Sequence, residues 1–100
     1  MIPPQKFKEL LEEKPGIIID VRTPREYEEG YLKKVDFNID ISADFEQNIE
    51  ELNKDNTYYL YCGSGARSER ATQLMKRKGF ENVYNVGGLE ALIEAGFEKQ

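Results

Sequence analysis

The chain has 100 residues, of which 39% are hydrophobic and 33% are charged, and its net charge is −5. This length predicts one domain over residues 1–100, and the mixture of apolar and charged residues is typical of a folded, soluble protein. The acidic charge argues against a nucleic-acid partner, because phosphate binding needs a basic face. No apolar run approaches the ~18 residues of a membrane span. The N-terminus lacks the apolar core of a secretion signal, so we expect a cytoplasmic protein that does not bind membranes.

The sequence contains one cysteine, Cys62, and no histidine. A single cysteine cannot form an internal disulfide, and by itself it cannot make a cysteine-based metal site. The lack of histidine also excludes Cys-His pairs and histidine metal ligands, so a reactive Cys62 would need another source of activation. We therefore predict neither a bound metal nor a cofactor.

The first half of the sequence alternates predicted helices and strands. An amphipathic helix is predicted over 5–14, and Pro15-Gly16 ends it. A continuous apolar run over 17–21 is typical of a central strand that is buried on both faces. Residues 23–26 carry a capping box and a proline at the first helical position, which predict a short helix that ends at Gly30.

The second half continues the alternation. The pattern over 37–41 predicts a strand of about five residues, and a helix is predicted over 45–52 with Ser42 or Asp44 as its cap. The aromatic run over 57–61 predicts the strongest strand. The remaining predicted elements are a helix over 66–78, a strand over 82–86 and a helix over 89–95. This alternation predicts an α/β fold of three layers, in which helices cover both faces of a mostly parallel sheet of four to five short strands.

The predicted strand over 57–61 leads directly into Cys62, and a glycine-rich loop and a predicted helix start follow. Two glycines allow backbone conformations in which successive N–H groups point into one concavity. The helix start adds unpaired N–H groups and the positive end of its dipole, and Arg67 lies near the same place with a permanent positive charge. These groups would stabilise a Cys62 thiolate and lower its pKa without a histidine. The alternative is that Cys62 is a small buried residue before an ordinary turn.

Four motifs along nearly the whole chain resemble those of single-domain rhodaneses, a family of small sulfurtransferases. In chain order they are Asp20-Val-Arg22 with Glu26-Tyr27 and Gly30, then Asn38-Ile39, then Cys62–Ser68, and last Asn82–Leu89 with its Gly-Gly turn. The resemblance implies a rhodanese-like fold and sulfur transfer without a cofactor. Cys62 would take a sulfane sulfur from a donor such as thiosulfate, a polysulfide or a persulfide, and pass it to cyanide or to a thiol, which could belong to a protein. The implied donor- and persulfide-binding residues are Gly63, Ser64, Gly65, Ala66, Arg67 and Ser68.

Asp20 and Arg22 are predicted to support the site. In a purely structural role, Asp20 would bind nearby loop amides and Arg22 would pair with an acid such as Glu26. In the second role the two residues would fix the shape of the loop. We favour support over direct chemistry, because a carboxylate close to a thiolate would raise the pKa of the thiol.

Three departures from the family pattern are visible, and in one of them Leu89 and Leu92 stand where the family often has an aromatic residue after Gly88. Residues 30–35 do not follow the usual Gly-His-Ile-x-Gly-Ala segment. Gly63 stands where rhodaneses that use thiosulfate well often carry a basic residue, so we expect weaker attraction for a dianionic donor.

Two rival functions remain. Phosphatases and arsenate reductases of the cell-cycle type share the fold, but their loop has five residues between cysteine and arginine, whereas four separate Cys62 from Arg67 here. Tyr61 also stands where those phosphatases usually carry histidine. The other rival is a rhodanese-like module that binds or regulates without turnover; the retained Cys62 argues against it.

Overall fold

The computed structural model describes residues 1–100 as five helices around one sheet of four strands. The elements in chain order are α1 (Pro4–Glu13), β1 (Ile17–Asp20), α2 (Pro24–Glu28), β2 (Phe37–Asn38), α3 (Phe45–Asn48), β3 (Thr57–Cys62), α4 (Ala66–Arg77), β4 (Asn82–Gly88) and α5 (Leu89–Glu94). The strand order is β2-β1-β3-β4, and every neighbouring pair is parallel. The predicted α/β architecture is therefore confirmed. None of the helices combines the length and the apolar character that crossing a membrane requires.

The central strand β3 is buried on both faces, and alternate side chains belong to two separate cores. Tyr58, Leu60 and Cys62 point to one core, which α3 and α4 cover with residues such as Phe45 and Met75. The side chains between them, Tyr59 and Tyr61, join the other core, which is covered by α1 and α5. A strand with helices on both sides has no polar face, which explains why the run of β3 is apolar throughout.

Strand β2 is shorter than its sequence pattern predicts. Only Phe37 and Asn38 pair with β1, whereas the prediction was a strand over 37–41. The partner strand ends at Asp20, and beyond it only single hydrogen bonds continue, from Ile39 N–H to the Asp20 carbonyl and from Ile41 N–H to the Val21 carbonyl. The Asp40 carboxylate then accepts hydrogen bonds from the backbone N–H of Ser42 (2.8 Å) and from its hydroxyl (2.7 Å), which turns the chain away.

Helix α3 is also shorter than predicted, because it ends at Asn48 rather than at residue 52. Its cap residue Asp44 has a left-handed backbone (φ 52°) and makes no capping hydrogen bond with its side chain, and Ser42 does not cap the helix either. After the helix, Leu52 donates its N–H to the Ile49 carbonyl in a tighter i,i+3 turn. The predicted apolar face survives this change, since Ile49 is buried.

The register of the sheet brings the functional segments to one edge. Asp20, the last residue of β1, pairs with Tyr61 on β3, directly before Cys62. Cys62 pairs with Gly88 on the other side, after a bulge in the β3–β4 ladder. Strand β4 runs on through Gly87 and Gly88, beyond the predicted end at residue 86. The carboxyl ends of β1 and β3 and the end of β4 therefore meet, which is where α/β sheets of this kind bind ligands.

Candidate active site

The Cys62 sulfur lies at the end of β3 and receives several hydrogen bonds from the following loop. Its side chain is fully buried. The N–H of Gly65 lies 2.9 Å from Sγ, the N–H of Ser68 lies 3.4 Å away, and the Ser68 hydroxyl lies 3.3 Å away. Four residues separate Cys62 from Arg67, and within that short loop the polar hydrogens of the backbone converge on the sulfur atom.

Gly65 makes this convergence possible. It has a left-handed backbone (φ 101°), which lets the chain turn from the loop into α4 while its N–H points at the sulfur. Gly65 is also the cap residue of α4 and has no side chain with which to cap it. Ser68 is the third residue of that helix, and its N–H is normally satisfied by a cap side chain. The Cys62 sulfur accepts this hydrogen bond instead, so the thiol lies at the positive end of a twelve-residue helix.

The hydrogen bonds outweigh the burial of the thiol. Burial alone would raise the pKa of Cys62, because it disfavours the charged form. The Ser68 hydroxyl and the backbone N–H groups of Ser68, Gly65 and Ser64 act in the opposite direction, and the pKa of Cys62 is lowered. A buried structural cysteine in apolar surroundings would show a raised pKa. This environment is therefore that of a stabilised thiolate.

Asn85 holds the Ser68 hydroxyl from the opposite side, a contact that the sequence patterns did not predict. Its amide oxygen lies 2.6 Å from the Ser68 hydroxyl, whose single hydrogen it shares with the Cys62 sulfur, and it accepts the Gly87 N–H at 3.0 Å. Its amide nitrogen donates to the Gly65 carbonyl at 3.0 Å. Asn85 is only 5% exposed, so this network ties β4 to the cysteine loop. The available signal was an asparagine inside an otherwise apolar strand, where a polar side chain needs a partner.

Arg67 lies beside the loop as predicted, but its charge is already paired. Its guanidinium makes two hydrogen bonds to the Glu26 carboxylate, from Nη1 to Oε1 at 2.7 Å and from Nη2 to Oε2 at 3.0 Å. The guanidinium hydrogen bonds from Arg67 are the main cause that lowers the pKa of Glu26 to about 2. Arg67 therefore lies near the mouth of the loop as expected, and its positive charge is shared with Glu26.

Asp20 and Arg22 form their own buried pair below the loop. The Arg22 guanidinium binds both oxygens of Asp20, with Nη2 2.7 Å from Oδ2, and also donates to the Gly30 carbonyl at 2.7 Å. Asp20 accepts the Arg22 N–H as well, which agrees with the predicted binding of loop amides. The suggested partner of Arg22, Glu26, is wrong. The pair fixes the segment between β1 and Gly30 and makes no hydrogen bond to Cys62.

The remaining loop residues face outward. Gly63, Ser64 and Ala66 are exposed, whereas Gly65 and Ser68 are buried. Gly63 and Ser64 border an open cleft of about 500 Å³, whose other walls are residues 1–4, 86–88 and the start of α5. The loop thus offers an inner side that contacts the sulfur and an outer side that a ligand can reach.

This fold and loop place the chain in the family of rhodanese-like domains. The family model for the Rhodanese-like domain matches residues 3–95, so the chain belongs to that family. A rhodanese-related protein from Thermoplasma volcanium has a similar structure, with a TM-score of 0.82 and 27% identity, over 99% of this chain and 95% of the other.

Two named relatives are similar in sequence. The tRNA uridine(34) hydroxylase of Pelagibacter ubique is 33% identical over 89 residues, which cover 87% of this chain and 29% of the relative. The putative sulfur carrier protein YrkF of Bacillus subtilis is 36% identical over 83 residues, which cover 82% of this chain and 44% of the relative. The chain thus spans less than half of the length of each. The comparisons support sulfurtransferase-type chemistry at the level of the family.

Proposed function

We propose that this protein is a sulfurtransferase that carries a sulfane sulfur on Cys62. The observation that carries the proposal is the set of donors around Cys62 Sγ, in which two backbone N–H groups point at a buried sulfur and the Ser68 hydroxyl lies 3.3 Å from it. Such donors favour an anion at this position before any substrate arrives, which is the usual requirement for an activated cysteine. The similarity to a protein named as a sulfur carrier supports the same chemistry.

The first step transfers sulfur to the enzyme. The Cys62 thiolate attacks the outer sulfur of a persulfide donor R–S–SH, a new S–S bond forms to Cys62, and the donor leaves as the thiolate R–S⁻. With thiosulfate the leaving group is sulfite, and Cys62 becomes the anion Cys–S–S⁻. The N–H groups of Gly65 and Ser68 that hold the thiolate are available to hold the persulfide.

The second step returns the enzyme to its starting state. An acceptor thiolate or cyanide attacks the outer sulfur of the Cys62 persulfide, and Cys62 leaves as a thiolate. The sulfur atom moves without net oxidation or reduction, so the cycle requires no cofactor. The leaving thiolate is stabilised by the same loop donors, which lowers the cost of both half-reactions.

The test is the intact mass of the protein after incubation with sulfur donors. We expect one added sulfur atom, about 32 Da, which dithiothreitol removes and which Cys62→Ser never gains, because the thiolate is the nucleophile. Thiosulfate, a polysulfide and a small-molecule persulfide should be tried in parallel. A wild-type chain that takes up no sulfur from any of them contradicts the proposal, and so does sulfur uptake by Cys62→Ser.

A further inference from the structure

The mouth of the cysteine loop carries a matched pair of charges. Arg67 is the cation that the loop itself supplies, and its Nη2 lies 3.1 Å from the place that a Cβ on Gly63 would take. The guanidinium therefore lies against the residue that follows Cys62. The hydrogen bonds to Glu26 and then the charges of Glu26 and Cys62 raise the pKa of Arg67, so the sulfur lies within electrostatic reach of this pair.

Glu26 is held in place independently of Arg67. Its Oε1 accepts the N–H of Thr23 at 3.2 Å and the Thr23 hydroxyl at 3.1 Å, within the capping box that begins α2. The carboxylate is therefore oriented toward Arg67 by its own helix. Bidentate pairing between guanidinium and carboxylate uses the edge formed by Nη1 and Nη2, which Arg67 would otherwise offer to the oxygen atoms of an oxyanion.

We propose that Glu26 makes the site selective against anionic sulfur donors by competing with them for Arg67. An oxyanion such as thiosulfate has to displace Glu26 before it can bind the Nη1–Nη2 edge of the guanidinium, and at any edge it lies close to the Glu26 carboxylate. A persulfide of a neutral thiol presents only its sulfur to the loop N–H groups and does not meet this competition. Because Gly63 supplies no second cation, the loop as built prefers persulfides of uncharged or weakly charged carriers. The inference rests on the proposed sulfurtransferase function.

The pair is open enough to exchange partners. The side chains of Arg67 and Glu26 are 35% and 37% exposed. Exposed pairs of this kind contribute little to stability, so an anion that offers comparable hydrogen bonds can compete with the carboxylate. Replacing Glu26 with glutamine keeps an oxygen for the capping box and removes the charge, since glutamine serves the same position in such boxes.

The experiment compares wild type, Glu26→Gln and the control Glu28→Gln, an exposed glutamate on the same helix. Rates of Cys62 persulfide formation are measured by mass against the concentration of thiosulfate and of hydroxyethyl persulfide. In Glu26→Gln we expect kcat/KM for thiosulfate to rise about fivefold relative to hydroxyethyl persulfide, mainly through KM, because a guanidinium is released. Added salt should reduce this gain, since it screens the charge. Glu28→Gln should behave as wild type.

A second measurement does not require sulfur transfer. Sulfate should protect Cys62 from alkylation by iodoacetamide at lower concentration in Glu26→Gln than in wild type or Glu28→Gln. The inference is overturned if Glu26→Gln, shown by thermal unfolding to be folded, neither shifts the donor preference nor strengthens sulfate protection. If no donor adds sulfur to wild type, the proposed function fails, and sulfate protection alone decides whether Glu26 competes with anions. A Gly63→Lys variant covers the case of a misfolded Glu26→Gln, because a cation placed there should favour thiosulfate; the Arg67 guanidinium, 3.1 Å from the new Cβ, gives way by a few tenths of an ångström. If Gly63→Lys does not favour thiosulfate, the charge argument is wrong.

Discussion

The molecule contains two arginine–carboxylate pairs at the same edge of the sheet, and they differ mainly in burial. In the pair between Asp20 and Arg22 the side chains are 0% and 8% exposed, whereas in the pair between Glu26 and Arg67 they are 37% and 35% exposed. Both have a shortest N–O distance of 2.7 Å. Geometry alone therefore does not distinguish them.

Because they differ in burial, the two pairs differ in how easily they can separate. A buried charge cannot lose its partner without a large penalty, so Asp20 and Arg22 fix the corner between β1 and α2. A half-exposed pair can separate at little cost, because water replaces the partner. The pair of Glu26 and Arg67 is therefore the one able to respond to a ligand, and it is the one that lies against the cysteine loop.

The largest expected effect tests this contrast through stability. Arg22→Met leaves the Asp20 carboxylate buried without its cation and should lower the free energy of unfolding by about 3–5 kcal/mol. Arg67→Met, the same replacement in the exposed pair, should cost at most about 1 kcal/mol. Urea unfolding at neutral pH measures both.

The double variant Asp20→Asn/Arg22→Met sharpens the same test. It removes both buried charges and should recover much of the stability lost in Arg22→Met, because the penalty comes from the unpaired carboxylate. Equal losses for Arg22→Met and Arg67→Met would show that burial does not separate the two pairs.

A smaller effect is expected where β4 meets the loop. Ser68→Ala removes the hydroxyl between Cys62 and Asn85, which leaves the buried Asn85 oxygen with one partner fewer. We expect a loss of about 1–3 kcal/mol in the free energy of unfolding. The pKa of Cys62, followed by the pH dependence of iodoacetamide labelling, should rise toward the ~8.5 of a free thiol. Ser64→Ala, at an exposed serine of the same loop, is the control. A Ser68→Ala protein with an unchanged labelling curve would contradict the role of the hydroxyl.

The smallest effect is a pH dependence of stability. The pKa of Cys62 is lower in the folded protein than in the unfolded chain, so the thiolate stabilises the fold fully above the unfolded value of ~8.5. This contribution is lost as the pH falls through the folded pKa. The stability advantage of wild type over Cys62→Ser should therefore grow with pH, by at most about 1.4 kcal/mol per pH unit. Urea unfolding of both proteins across neutral pH measures this difference in free energy of unfolding. A difference that shrinks as the pH rises would contradict the prediction.

Other groups should not obscure this dependence. The chain has no histidine, and the pKa of Glu26 of about 2 keeps that carboxylate ionised throughout the range in which Cys62 titrates. Burial raises the pKa of the tyrosines on β3, which moves their titration further from neutral pH.

Local patterns in the sequence were sufficient to predict most of the helices and strands. The capping box of α2 was predicted correctly because all its partners lie within four residues, and the structure confirms both hydrogen bonds. The predicted elements β2 and α3 were too long, because their ends depend on other segments. The ladder of β2 stops where β1 ends at Asp20, and α3 lacks the capping contact that the sequence suggested.

The sequence by itself determined the chemistry available at the site. One cysteine, no histidine, two glycines and a four-residue spacing before Arg67 all follow from the order of residues, and they predict a thiol served by backbone donors. The tertiary structure decided which charges meet. Pairing of Arg67 with Glu26 and of Asn85 with Ser68 depends on which strands and helices share an edge, whereas Arg22 and Asp20 are only two residues apart in the chain. A long charged side chain pairs with a partner that lies close to it in space. The sheet register that sets those distances is a property of the whole fold.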